Sequence, residues 1–192
     1  MHQYYIVYKP FQVLSQFSPH EGKPTLKDIF PVPSDIYPIG RLDFDSEGLL
    51  ILTNDRHLNH QLLDPAFAHE REYWVQVEGA IQHTALNQLE TGVTITIDHQ
   101  PFITRPAKAG LLTPDPPVPD RTPPIRYRAH IPTSWISLTL TEGKNRQVRK
   151  MTARVGFPTL RLIRYRIGKI TIKGMQPGEM REIRMEDITL PY

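Results

Sequence analysis

Gly40-Arg41-Leu42-Asp43-Phe44-Asp45-Ser46-Glu47-Gly48-Leu49-Leu50 is a glycine-bounded loop that feeds directly into an apolar strand, Leu49 to Leu52. A loop held by rigid strands is where reactive side chains tend to sit, and an arginine near an aspartate keeps the carboxylate ionised as a nucleophile or base. Asp43, two positions behind Arg41, is therefore the first candidate for chemistry. The spacing Asp43, Asp45, Glu47-Gly48 also opens like a calcium loop. Its twelfth position is Asn54 where that loop needs glutamate, and the apolar run Leu49 to Leu52 replaces ligands and helix, so no metal is expected.

Working outward, Tyr4 to Tyr8 reads as a short strand ending at Pro10, and Thr25 to Phe30 as a brief helix stopped by Pro31-Val32-Pro33. Beyond the Asp43 loop, Thr53-Asn54-Asp55 turns the chain into a helix with Leu58, Leu62 and Leu63 at helical spacing, ended by Asp64-Pro65. Tyr73 to Val77 predicts a strand, Ile81 to Leu89 an amphipathic helix, and Val93 to Ile97 and Trp135 to Leu140 two further strands. The six prolines within residues 114–124 predict an extended loop with no interior of its own, a lid or a partner-facing excursion. Strands predominate between short helices and few intervals suit a regular βαβ series. The expectation is an α+β fold with a mostly antiparallel sheet.

At 192 residues and 39% hydrophobic, the chain is long enough to bury a core as one domain or as two small lobes sharing a cleft. No run of about 18 apolar residues occurs and the N-terminus does not read as an export signal, so a cytoplasmic protein without membrane attachment is expected. The absence of cysteine excludes disulfides, thiol catalysis and thiolate metal sites. Among the eight histidines the close pair is His57 and His60, with no evident third ligand beside it.

Charge is segregated. Residues 141–184 carry twelve Lys or Arg against three acids, a local +9, which leaves −6 on the rest of a chain whose net charge is +3. Such a basic region on an otherwise acidic protein points to a phosphate-bearing partner, nucleic acid above all. Within it, Asn145 to Gly156 predicts a helix capped by Asn145 and closed at Gly156, with Pro158 beyond. At 100° per residue Val148, Met151, Thr152 and Val155 share one side while Arg146, Arg149 and Lys150 fall away from it. Arg161, Arg164, Arg166 and Lys169 continue the run, and no acid occurs from Gly143 to Gly178 to neutralise it.

Gly-Arg-Leu-Asp at 40–43, with Ser46, Gly48 and Leu49, resembles the catalytic motif of the pseudouridine synthases, in the group typified by the small-subunit enzyme RsuA. Lys9-Pro10, the run Arg71 to Val77, and Glu142 to Met151 with Gly156-Phe157-Pro158 and Leu160 to Arg164 follow in the family's order. The strings Val13 to Phe17, Ile131 to Trp135 and Phe157 to Tyr165 are most similar to members acting on the large ribosomal subunit. The resemblance implies a single catalytic domain over 1–192, two lobes around a central cleft in a mixed, mostly antiparallel sheet with flanking helices. Because Tyr4 to Pro10 begins almost at once, no separate N-terminal RNA-binding domain is expected.

The resemblance further implies that a uridine of 23S rRNA, naked or in a large-subunit precursor, is isomerised to pseudouridine by a monomer that needs no cofactor and no metal. Asp43 would be the nucleophile or a ribose-directed base, and Tyr73 would stack on the target base and help remove the C5 proton. Lys144 or Arg146 would pair with Asp43. Arg41, Arg149, Lys150 and Arg164 would hold the RNA, and Leu162 would form an apolar wall. Arg71 stands where relatives often carry lysine, which keeps the charge and alters the hydrogen-bonding geometry. A reading from another class, a non-catalytic rRNA-binding or assembly factor using the same basic helix, places no demand on a carboxylate at Asp43.

Overall fold

The computed structural model describes residues 2–126 and 128–188, in two compact units: the described residues of Met1–His69 with Ile163–Tyr192, and Glu70–Leu162. In chain order the elements begin with β1 (Tyr4–Lys9), β2 (Tyr37–Ile39), β3 (Glu47–Thr53), α1 (Arg56–Leu63), β4 (Arg71–Glu78) and α2 (His83–Thr91). There follow β5 (Thr94–Ile97), β6 (Gln100–Ile103), β7 (Lys108–Leu111), β8 (Thr133–Leu140) and α3 (Gln147–Arg154). The last are β9 (Thr159–Ile167), β10 (Ile170–Thr171) and β11 (Met180–Ile183). The fold is α+β with a mixed, mostly antiparallel strand pattern, as the sequence predicts.

In the first unit β3 is the strand the others are built on. All seven of its residues are buried, because β1 pairs with it from Gly48 to Thr53 on one edge while β2 and β9 share the other. A strand enclosed in this way is free of the polar alternation that water imposes, which is why Leu49 to Leu52 is continuously apolar. The β3–β9 pairing is parallel; β1–β3, β2–β3 and β1–β11 are antiparallel. One face packs a core of Val7, Leu26, Phe30, Ile36, Leu42, Leu50 and Leu52. Each such side chain contributes about 1.5–3 kcal/mol of burial. The expected helix over Thr25–Phe30 is a single 3₁₀ turn at Leu26–Asp28, where Asp28 accepts from the Thr25 N–H and hydroxyl.

In the second unit β8 lies between β4 and β7, with β4 and β8 in register from Arg71 opposite Leu140 to Glu78 opposite Thr133. Strand alternation puts Tyr73, Val75 and Val77 on one face, opposite Leu138, Ile136 and Ser134. Val75, Val77, Ile136 and Leu138 form an apolar cluster with Leu86 and Leu89 of α2, Val148 and Met151 of α3, and Leu162. The proline-rich stretch has no regular secondary structure, but it is strapped down. Arg161, buried at 6% exposure against the Trp135 ring, donates to the Pro119 carbonyl at 2.8 Å.

The helix expected over Asn145–Gly156 is shorter, Gln147–Arg154, and Asn145 does not cap it. Arg146 takes the cap position in the left-handed region (φ 52°), without a side-chain cap bond. Gly156 does adopt a positive φ, +92°.

Candidate active site

The loop that carries Asp43 is short because its two ends are pinned. Leu42 is buried in the first unit's core, and the Ser46 N–H donates to the Asp43 carbonyl at 3.0 Å, closing a turn. Glu47 then enters β3 as a buried residue, and Gly48 follows at φ +109°. A Cβ there would sit 2.4 Å from the Arg164 carbonyl oxygen, so the close parallel approach of β9 to β3 requires glycine. Arg164, 5% exposed, donates from Nε to the Leu49 carbonyl at 2.8 Å. Asp43 itself is partly exposed. Arg41, two positions earlier, is exposed.

Beneath this loop lies a feature the sequence does not announce. Lys9, wholly buried at the end of β1, donates from Nζ to the carbonyls of Pro10 and Val13, both at 2.8 Å. Burial pushes its pKa down to about 7, against the opposing pull of Glu47, Asp45 and Asp43, with Arg164 adding to the downward shift. The acidic cluster therefore surrounds a lysine and supplies it with counter-charge. Any signal in the sequence lies in the pair Lys9-Pro10 ending a strand, since a lysine at that position is ordinarily solvated.

The second unit holds the other candidates in two places. Tyr73, the third residue of β4, is partly buried and packs on the cluster that contains Leu162, so these two are brought together. The loop from Glu142 to Gln147 is a tied structure. Gln147, 3% exposed, donates from Nε2 to Glu142 at 2.6 Å and accepts the Lys144 N–H at 2.9 Å, while Glu142 also accepts the Arg105 N–H at 2.8 Å. That clamp fixes the backbone bearing Lys144 and Arg146. The Lys144 ammonium lies over the Phe102 ring, 5.1 Å from its centroid, a cation–π contact. Arg146 is exposed, and Arg149 and Lys150 are partly buried.

The basic run after α3 is not uniformly solvent-facing. Arg161 and Arg164 are buried, each with a main-chain carbonyl as partner, and Arg166 donates to the Gly168 carbonyl at 2.7 Å. The local charge of +9 thus includes guanidiniums that tie loops and strands. Chemically, the first unit offers Asp43 partly exposed on a hydrogen-bonded turn; the second, taken by itself, offers a partly buried tyrosine on an apolar face and exposed cations just before α3.

Known proteins match this chain along most of its length. The family model described as RNA pseudouridylate synthase matches residues 3–154. The chain is 48% identical over 177 residues to ribosomal large subunit pseudouridine synthase E of Vibrio parahaemolyticus, covering 92% of this chain and 72% of that protein. The protein of the same name from Xanthomonas axonopodis pv. citri is 48% identical over 171 residues, 88% of this chain and 87% of its own length. Among solved structures, one titled as a pseudouridylate synthase superposes with a TM-score of 0.78 at 25% identity, covering 98% of this chain and 73% of that one.

Proposed function

The chain belongs to the RNA pseudouridylate synthase family, and from that premise we propose that it converts one uridine of the 23S RNA of the large ribosomal subunit into pseudouridine. The supporting observation is the placement of Asp43: a partly exposed carboxylate-bearing residue on a hydrogen-bonded turn between buried Leu42 and buried Ser46, within the region the family model matches. The reaction is an isomerisation. The N1–C1′ bond breaks, the freed uracil turns, a C5–C1′ bond forms, and the proton lost from C5 is balanced by one gained at N1. Atoms and electrons close within the nucleotide, so no redox partner is called for.

In this reading Asp43 attacks the sugar or removes a sugar proton. Tyr73, whose ring already rests on apolar side chains, stacks on the uracil. Lys144 or Arg146 is proposed to orient Asp43; the clamp between Glu142 and Gln147 fixes the backbone both project from. Flipping a stacked uridine costs roughly a few kcal/mol, which phosphate contacts from Arg41, Arg149 and Lys150 offset. Arg164 contributes indirectly, since its Nε is engaged with Leu49. We infer a monomer working in the cytoplasm, where ribosomal RNA is found. No helix among the described residues is long and apolar enough to cross a membrane.

The test is turnover of in vitro transcribed 23S rRNA with pseudouridines mapped along the product. The purified protein should modify a discrete uridine, and Asp43→Asn should abolish turnover with RNA affinity within a few-fold of wild type. Asp45→Asn should be nearly silent by comparison. An Asp43→Asn variant with full activity would overturn the mechanism, and RNA binding without any modification would favour a non-catalytic assembly role.

A further inference from the structure

Each peptide plane around Asp43 has a hydrogen-bond partner. Ser15 Oγ donates to the Leu42 carbonyl at 2.8 Å and accepts the Leu42 N–H at 3.0 Å, so one hydroxyl grips both main-chain polar groups of the residue before Asp43. The carbonyl belongs to the Leu42–Asp43 peptide, and its orientation is set from Ser15. The Asp43–Phe44 peptide is held by Ser46 N–H, and the Phe44 carbonyl accepts the Gln12 N–H at 2.8 Å. Ser15 is 4% exposed, so these bonds are sheltered from competing water.

The gripping segment is itself immobilised. Lys9 Nζ ties the carbonyls of Pro10 and Val13, the Leu14 N–H donates to Pro24 O at 2.9 Å, and the Leu26 N–H to Gln16 O at 2.9 Å. Gln12 sits in the left-handed region at φ +59°, a conformation that a non-glycine residue keeps only where its surroundings over-determine it.

We propose that Ser15 is a positioning residue for Asp43. Its hydroxyl fixes the peptide through which the backbone enters Asp43, so the carboxylate is held out from a rigid main chain. The inference rests on the pseudouridine synthase reading, in which Asp43 reacts. A hydroxyl of this kind supports the reacting geometry without touching RNA, so its loss should appear in the rate of the bound complex and not in affinity.

The experiment compares Ser15→Ala and the near-isosteric Ser15→Cys with Thr53→Val. Thr53 is a matched control: its buried hydroxyl also grips main chain twice in the same unit, donating to Gln3 O at 2.7 Å and accepting the Asp55 N–H at 3.0 Å. All three variants should lower the melting temperature by a few degrees. Single-turnover rate on saturating 23S transcript, well below each melting temperature, should fall by roughly 10- to 100-fold for Ser15→Ala, as expected of a misplacement near 1 Å. It should fall less for Ser15→Cys and stay at the wild-type value for Thr53→Val, with RNA affinity unchanged throughout. Ser15→Cys keeps the side-chain volume and stands in for Ser15→Ala if that variant does not fold. Wild-type saturating rates in the Ser15 variants would overturn the inference. Asp43→Asn, measured alongside, separates the two claims: if it stays active the reaction assignment fails, whereas if it is dead while Ser15→Ala is fully active only the positioning role fails.

Discussion

At the residue scale, Asp43 and Lys9 differ in how far each can be read from the chain. Asp43 stands out as a candidate because loop glycines, a nearby arginine and an apolar strand are all local. Ser15 and Lys9 do not: Ser15 reaches Leu42 across 27 positions, and Lys9, whose carbonyl partners Pro10 and Val13 are local, is hidden by a burial that its residue type does not suggest. Lys9 also leads to a prediction about pH. Its pKa falls from 10.5 to about 7 on folding, so between those values the folded chain holds fewer protons than the unfolded one, and stability rises with pH across that window. Below about 7 the lysine is protonated in both states and its burial cost is constant. The neutral amine keeps two N–H groups, enough for both carbonyl bonds. Lys9→Met should therefore flatten the rise of melting temperature between about pH 7 and the unfolded value of 10.5, relative to wild type. Parallel profiles for the two proteins would show that Lys9 does not titrate there.

At the scale of elements, the strongly apolar or alternating strands β1, β3, β4 and β8 are visible in the sequence, and so are α1, α2 and α3 to within a few residues. The nine-residue β9 is not. Arginines at 161, 164 and 166 interrupt its alternation and read as a basic surface, whereas the structure buries Arg161 and Arg164 against carbonyl partners. β5 matches the strand expected over Val93 to Ile97, but its hairpin with β6 is hidden because the turn residues, Asp98 and His99, take positive φ without the Asn-Gly or Asp-Gly signature. The start of α3 is obscured for a different reason: Gln147 turns back to the Lys144 N–H, and Arg146, not Asn145, takes the cap. These details sharpen an expectation about RNA. Lys150 is partly buried and Arg154 exposed on α3, while Arg149 has its Nε enclosed. Replacing Lys150 and Arg154 by glutamine should reduce the slope of log affinity against log salt by about 0.7 for each phosphate no longer neutralised, with the melting temperature unmoved. Arg149→Gln should lower the melting temperature as well. An unchanged slope in the double variant would remove α3 from the RNA-binding surface and direct attention to Arg126 and Arg128.

On the scale of the whole molecule, nothing local in the chain announces that the first unit is discontinuous. Composition does not change sharply at residue 70 or at residue 162, and strand pairs such as Tyr4 with Ile183 have no short-range trace. Glu70–Leu162 is contiguous and its main pairing, β4 with β8, lies inside it, whereas β1 must find β11 from nearly the other end of the chain. Loop closure over such separations is slow. In refolding followed by pulsed hydrogen exchange, amides of β4 and β8 should gain protection before those of β1 and β9. Simultaneous protection would show that the two units form in one step. The same discontinuity bears on synthesis. The strand that packs against Gly48 begins to do so only with Ile163 and Arg164, so a nascent chain carries Asp43 on a sheet whose last edges are still unmade. On the proposed reading, in which Asp43 reacts, a nascent chain gains a working carboxylate only once Ile163 and Arg164 have left the ribosome and paired with β3.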